Sequence, residues 1–440
     1  NPQRITATAM ARVLAAVVLA MAVQAQEGPA PLLRGRRSSA VGGAAATAGP
    51  ADTSPDLRYI SKAELRDKLE GFWIGQLVGN FMGLPFEFIY YDEPMPLLPD
   101  KYYDLASARA AGLQCNSDGR GSIPAYLNEI QGAYTDDDTD IEFVTLHTVE
   151  QPGIGLNVTY SQIAEAWKSY VHIKVGNNDA LWFANKVARE LMDQGVLPPA
   201  TGAMDRNRYW WTIDPQLVNE IWSAFYPGMV TKAVERAEWG ARITSSSWGT
   251  HPTRFYAALY SAAFFLTDVQ ELYDVGMGVV PEDSPFLQGL REVKSLHAQH
   301  PDDWRATWYV LKQKYLHYPA GTCGGVPWNC GVSAMINGLM GALALRYGGG
   351  DFMTTVGIAI AAGFDCDNQA ATLAGLIGIL HGGSRIPIDL THNIGGNHWD
   401  KPFNDKYINE RRPPLPVESN NTDIVNRIAR VTREAILLNG

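Results

Sequence analysis

The chain has 440 residues, 46% hydrophobic and 19% charged, a composition with ample apolar material for a sizeable core, which excludes a disordered or fibrous protein. Its formal net charge is −10, and no basic stripe interleaved with aromatics runs through it. Nucleic acid is therefore not an expected partner, because phosphate binding draws on clustered Lys and Arg.

In chain order, Arg12, the apolar run Val13 to Val23 and the small-residue site Val23-Gln24-Ala25 predict a signal peptide over 1–25, with Met10 as its natural start. A short buried N-terminal helix is the competing reading. A signal peptide implies a periplasmic or secreted protein. Residues 26–56 are rich in Ala, Gly, Pro and Ser and read as a flexible leader, so the folded domain is expected over 57–440. No later uninterrupted apolar stretch reaches the roughly 20 residues of a membrane span.

Ser61-Lys62-Ala63-Glu64 is a capping box that opens a helix continuing through Leu65, Leu69, Phe72, Trp73, Leu77 and Val78. Similar stripes over 140–149, 161–171, 179–194, 216–224, 254–274, 302–315, 331–346, 353–362, 369–381 and 423–438 predict a single all-α domain of about a dozen helices. Gly71, Gly75, Gly79 and Gly83 line one face of the first helix. Each costs about 0.5–1 kcal/mol against Ala in a helix interior, so four together predict a second backbone packed very close. Small residues recur over 331–348 and 370–378, which predicts a tight core shared by three helices.

Four cysteines are too few for a disulfide scaffold, but one bridge fits an exported protein. Cys323 and Cys330 are the candidates, with a bridge worth about 2–3 kcal/mol in the chain-entropy model; two free buried thiols are the alternative.

The chemistry concentrates in two acidic clusters far apart in sequence, Asp136-Asp137-Asp138 within Thr135 to Asp140, and Asp365-Cys366-Asp367-Asn368. A single Asp at a helix start is ordinary capping. Three in succession repel by about 3 kcal/mol per adjacent pair at about 5 Å and an effective dielectric near 20, so a buried cluster needs a cation. Oxygen donors favour Mg²⁺, with Mn²⁺ or Ca²⁺ as alternatives, over zinc or copper. Asp214, Glu220, His251, His381, Trp248, Trp328 and Trp399 are further candidates for sugar contact or acid chemistry, each also explicable as a core or surface residue.

These motifs, with the segment Gly71 to Glu87 (GFWIGQLVGNFMGLPFE), resemble the ADP-ribosylglycohydrolase family over about 66–385. The resemblance implies a single large orthogonal helical domain that binds two Mg²⁺ ions and hydrolyses a glycosidic bond of a small-molecule or glycoside substrate; a monomer is the default expectation, independent of the resemblance. The family's Thr-Asp-Asp-Thr motif falls on Asp136-Asp137-Asp138-Thr139, with Asp136 in place of Thr; a register starting at Thr135 is the alternative. Its Asp-x-Asp-Thr/Ser motif falls on Asp365 to Asn368, where Asn368 replaces a hydroxyl and would offer a carbonyl oxygen. The implied metal ligands are Asp136, Asp137, Asp138, Asp365, Asp367 and Asn368. The implied catalytic residues are Glu87, Asp137 and Asp367, and Asn80, Trp248, His251 and Asp214 are the expected substrate contacts. The Met-Arg-x-x-Pro segment common in relatives is absent, which leaves an oligosaccharide glycosidase as an alternative, and Asn368 and Asn80 leave a non-catalytic metal-dependent sugar or nucleotide binder as another.

Overall fold

The helix predicted from the Ser61 box forms over Lys62–Gly83 (α1), and the Glu64 N–H donates to Ser61 Oγ at 3.1 Å. The computed structural model describes residues 58–116, 127–134, 136–319 and 330–439. The expected signal peptide and leader, Thr135, Cys323 and Trp328 lie outside these residues. After α1 come α2 (Leu105–Ala110), α3 (Asp137–Val149), α4 (Tyr160–Tyr170), α5 (Phe183–Asp193), α6 (Asp214–Leu217), α7 (Glu220–Phe225) and α8 (Val230–Ala241). Then follow α9 (His251–Ala263), α10 (Val269–Met277), α11 (Pro285–Gln299), α12 (Trp304–Tyr315), α13 (Ala334–Gly348), α14 (Phe352–Ala361), α15 (Cys366–His381) and α16 (Asn421–Asn439). The fold is all-α. No helix among the described residues is long and apolar enough to cross a membrane.

The glycine face of α1 meets the backbone of α15 in an antiparallel seam. A Cβ on Gly71 would stand 2.0 Å from the Gly378 carbonyl oxygen, on Gly75 2.3 Å from that of Ala374, on Gly79 2.1 Å from that of Ala370, and on Gly83 2.3 Å from Asp367 Cα. No side chain fits at such distances, which is why the stripe recurs every four residues. Helix α13 closes the third side: a Cβ on Gly341 would lie 2.2 Å from Tyr256 Oη of α9 and 2.4 Å from Gln369 Oε1 of α15.

Two expected helices divide. The 216–224 stripe is split between α6 and α7, and the 254–274 stripe between α9 and α10, where Asp268 caps the new start by accepting from the Gln270 and Glu271 N–H groups at 2.7 and 3.0 Å. Helices α8 and α11 were not among the expected stripes. Cys330 is disulfide-bonded, whereas Cys115 and Cys366 are free.

Short strands complete the fold. Strand β1 (Ala133–Tyr134) pairs in parallel with β4 (Lys406–Ile408), which pairs antiparallel with β5 (Glu418–Asn420); β2 (Lys174–Val175) and β3 (Asn178–Asp179) form a separate hairpin. The register Ala133↔Tyr407 and Tyr134↔Ile408 brings the chain just after β4 against the start of α3.

Candidate metal centre

Both acidic clusters stand at helix N-termini, where the exposed N–H groups and the helix dipole favour negative charge. Asp136 caps α3, its Oδ1 accepting from the Asp137 N–H at 3.0 Å. Asp365 occupies the cap position of α15, its N–H donating to Asn337 Oδ1 at 3.1 Å. The turn before it contains Gly363 at φ +74°, where a Cβ would lie 1.4 Å from the Tyr90 carbonyl oxygen, so the tight approach and the backbone sign both require glycine. Phe364 exchanges backbone hydrogen bonds with the loop after α1: Phe88 N–H to Phe364 O at 2.9 Å, and Phe364 N–H to Tyr90 O at 3.0 Å. Glu87 is thereby brought beside Asp365 and Asp367.

The carboxylates form two trios, Glu87 with Asp365 and Asp367, and Asp136 with Asp137 and Asp138; within each, one oxygen per residue lies within 4.8 Å of the others. Both border one cavity of about 660 Å³, whose wall also includes Asp214, Trp182, Phe183, Tyr91 and Arg411. Amides join the halves: Asn80 and Asn368 donate to Asp138 Oδ2 and Oδ1 at 2.6 and 2.9 Å. Burial and the neighbouring carboxylates push Asp137, Asp138, Asp365 and Asp367 well above the usual carboxylate range. Like charges held this close favour protons or a cation. Asp367 Oδ1 is buried with no hydrogen-bond partner. That unsatisfied oxygen, within an all-oxygen donor set, fits a hard divalent ion.

The expected residues divide by location. Glu87, Asp136, Asp137, Asp138, Asp214, Asp365 and Asp367 all line the cavity. Asp214 is fixed by the Asn185 N–H at 2.9 Å and the Thr212 hydroxyl at 2.6 Å, and burial raises its pKa to about 6. Asn80 and Asn368 lie behind the wall. Asn368 was expected to offer a carbonyl oxygen to an ion, but that oxygen accepts from Gln369 Nε2 at 3.0 Å while its amide nitrogen serves Asp138.

Trp248 and His251 are not among the lining residues. Trp248 packs edge-on against Trp210. His251 Nδ1 pairs with Ser284 Oγ at 2.7 Å, and burial with the Arg254 charge lowers its pKa to about 4. His381 bonds the Gly350 carbonyl oxygen at the far end of α15. Glu220 faces neither cleft nor solvent. It accepts from the Thr372 hydroxyl and the Gln76 amide at 2.5 and 2.7 Å in the core, with Tyr260 Oη 2.9 Å away, and burial raises its pKa to about 7.

Arg411, Arg412 and Trp182 escaped the sequence reading. Arg411 ion-pairs with Asp136, reaches Asp137 Oδ1 at 3.9 Å and lies 5.1 Å over the Trp182 ring. Arg412, fully buried, pairs with Asp140 at 2.8 Å. The available signal was the adjacent arginine pair, which matches acids one helical turn apart at 136 and 140.

Fold and site together define the class, an all-helical protein with an acid-lined cavity at two helix starts. The profile of the ADP-ribosylglycohydrolase family matches residues 61–415, and the chain belongs to that family. Membership supports a glycohydrolase-type function. A solved structure titled "ADP-ribosylglycohydrolase-related protein complex" aligns with a TM-score of 0.49 at 15% identity, covering 85% of this chain and 99% of that one. A search of curated proteins gave no match.

Proposed function

We propose that the chain is a divalent-cation-dependent glycohydrolase that cleaves a ribosyl-like or other furanosyl bond, acting as an exported monomer on a small-molecule or glycoside substrate. The observation that carries this reading is the convergence of two carboxylate trios on one cavity of about 660 Å³. Glu87, Asp365 and Asp367 would hold one ion, and Asp136, Asp137 and Asp138 a second. Mg²⁺, or Mn²⁺ or Ca²⁺ in its place, would supply positive charge that orients vicinal sugar hydroxyls and acidifies water.

The chain's own groups do the rest. Trp182, Phe183 and Tyr91 give the cavity an aromatic side suited to the apolar face of a sugar or its leaving group. Glu87, half-buried on the loop after α1, accepts the proton of the attacking water as general base. Asp214, with a pKa near 6, contacts a substrate hydroxyl from the cavity wall. Asn80 and Asn368 keep Asp138 oriented.

A second reading, an oligosaccharide glycosidase without ADP-ribose specificity, is favoured by one observation. Among the described lining residues Arg411 is the lone Lys or Arg, and Asp136 already engages it, so the cavity offers little to a pyrophosphate except through bound ions. Thermal-shift titration with ADP-ribose, ribose, arabinose and pentosides, each in Mg²⁺ and in EDTA, separates the two. Mg²⁺-dependent stabilisation by ADP-ribose supports the first reading and stabilisation by simple sugars alone the second. Binding without turnover of any glycoside, in a protein where Glu87→Gln changes nothing, would make the chain a binder. Indifference to both metal and sugar would refute the ion-dependent reading.

A further inference from the structure

Glu87 stands just beyond a single 3₁₀ turn, Leu84–Phe86, so no α-helix or strand of its own fixes the carboxylate. The loop is held from outside. Asn116 spans it: its N–H donates to the Pro85 carbonyl oxygen at 2.8 Å, and its side-chain amide nitrogen to those of Leu84 and Glu87 at 3.3 and 3.1 Å. Three of the four carbonyl groups from Leu84 to Glu87 thus end on one residue. A second tie lies nearby, where the Gln114 N–H donates to Tyr90 Oη at 2.9 Å.

Asn116 can serve as an anchor because the chain before it is itself fixed. Helix α2 opens on a capping box between Asp104 and Ser107. After it, the Leu113 N–H donates to the Ala108 carbonyl oxygen at 2.9 Å, and the Leu113 side chain is buried. The opposite edge of the loop is bonded to Phe364 through Phe88 and Tyr90. Phe88 and Phe364 lie at φ +56° and +64°, left-handed backbone that such a residue keeps only where its surroundings hold it. A loop held in a costly conformation relaxes when one of its ties is cut.

We propose that Asn116 is a positioning residue, which clamps the Glu87 loop against the acid-lined cavity and so sets where the Glu87 carboxylate stands. It is not among the residues lining the cavity, and it acts through the backbone of the loop. The role of Glu87 rests on the ion-site reading given under Proposed function; the clamp itself does not.

Two measurements on the full chain test this. Hydrogen exchange without metal reads the clamp: Asn116→Leu should speed exchange of the Glu87, Phe88 and Ile89 amides about tenfold, and leave the α1–α15 seam at wild-type rates. Calorimetric titration with Mg²⁺ alone reads the consequence as a double-mutant cycle. Asn116→Leu should weaken Mg²⁺ binding about tenfold where Glu87 is present, and by less than about twofold in a Glu87→Ala background. A merely structural role would weaken both alike. If Asn116→Leu does not fold, Asn116→Ser, whose one hydroxyl can serve only one of the two carbonyl oxygens, takes its place and should give smaller shifts of the same sign. Unchanged loop exchange, or an Mg²⁺ affinity that moves equally or not at all in the two backgrounds, overturns the proposal and leaves the ion-site reading standing. Faster loop exchange in a chain that binds no Mg²⁺ upholds the clamp and sinks that reading instead.

Discussion

Replacing Glu220 by Gln should make the protein much less sensitive to alkaline pH. Glu220 lies in the core beneath the acid trios, and burial moves its pKa from 4.5 to about 7. The folded state thus keeps a proton that the unfolded chain releases, so this group's contribution is intact below about pH 4.5 and is lost as pH rises towards 7. That change corresponds to about 3 kcal/mol. Gln never ionises and escapes that loss. The surroundings can accept it: Tyr260 Oη donates to the Thr372 carbonyl oxygen at 2.5 Å, leaving its own lone pairs open, and Gln76 Oε1 has no partner, so that amide can turn. Glu142 is raised by burial and by Glu220; relieving it adds to the effect with the same sign. Urea unfolding of both proteins in EDTA at pH 5 and pH 8 measures the difference. The stability gap, variant minus wild type, should be about 2–3 kcal/mol more favourable at pH 8. Parallel pH profiles would refute the buried-proton assignment.

Ion affinity should rise with pH across the range above ordinary carboxylate values, because Asp137, Asp138, Asp365 and Asp367 bind protons in the ion-free state; calorimetry in buffers of different ionisation enthalpy should detect protons released on Mg²⁺ binding, and a pH-independent affinity would contradict this. Asp365→Ala and Asp137→Ala should each lower the metal stoichiometry, and unchanged metal content in both would defeat the two-trio site. Gly79→Ala should cost about 3 kcal/mol or more, since its Cβ would stand 2.1 Å from the Ala370 carbonyl oxygen and the obstacle is backbone; a melting temperature within a degree or two of wild type would show that the seam yields.

The parts legible in the sequence were those written as local pattern. Helix α1 announced itself by its cap and its apolar spacing, and its glycines announced a partner backbone. The two acid clusters could be joined because buried like charges need a common cation. Single residues carry no such signal. Trp248 and His251 share composition with a site but not its location, and nothing local distinguishes an aromatic packed on Trp210 from one that lines a cavity. Trp182 and Arg411 sit in irregular connections, where periodicity is silent, Trp182 at the cap position of α5 and Arg411 just beyond the β1–β4 pairing. That pairing rests on strands of two and three residues, too short to alternate recognisably. Asn368 was assigned by motif position alone, whereas its orientation is set by Gln369 and Asp138.

The seam between α1 and α15 also constrains how the chain can change length. Its four close approaches run from Gly71 against Gly378 to Gly83 against Asp367, so the site sits at one end of a ruled contact. One residue inserted within either helix would rotate everything beyond it by about 100°, driving side chains into the opposing backbone and turning Glu87 or Asp367 out of the cavity. Four residues would nearly restore the phase but slide the helices by about 6 Å, separating Gly83 from Asp367. The two helices are keyed to each other tooth for tooth, so only the loops outside them can take up a change in length.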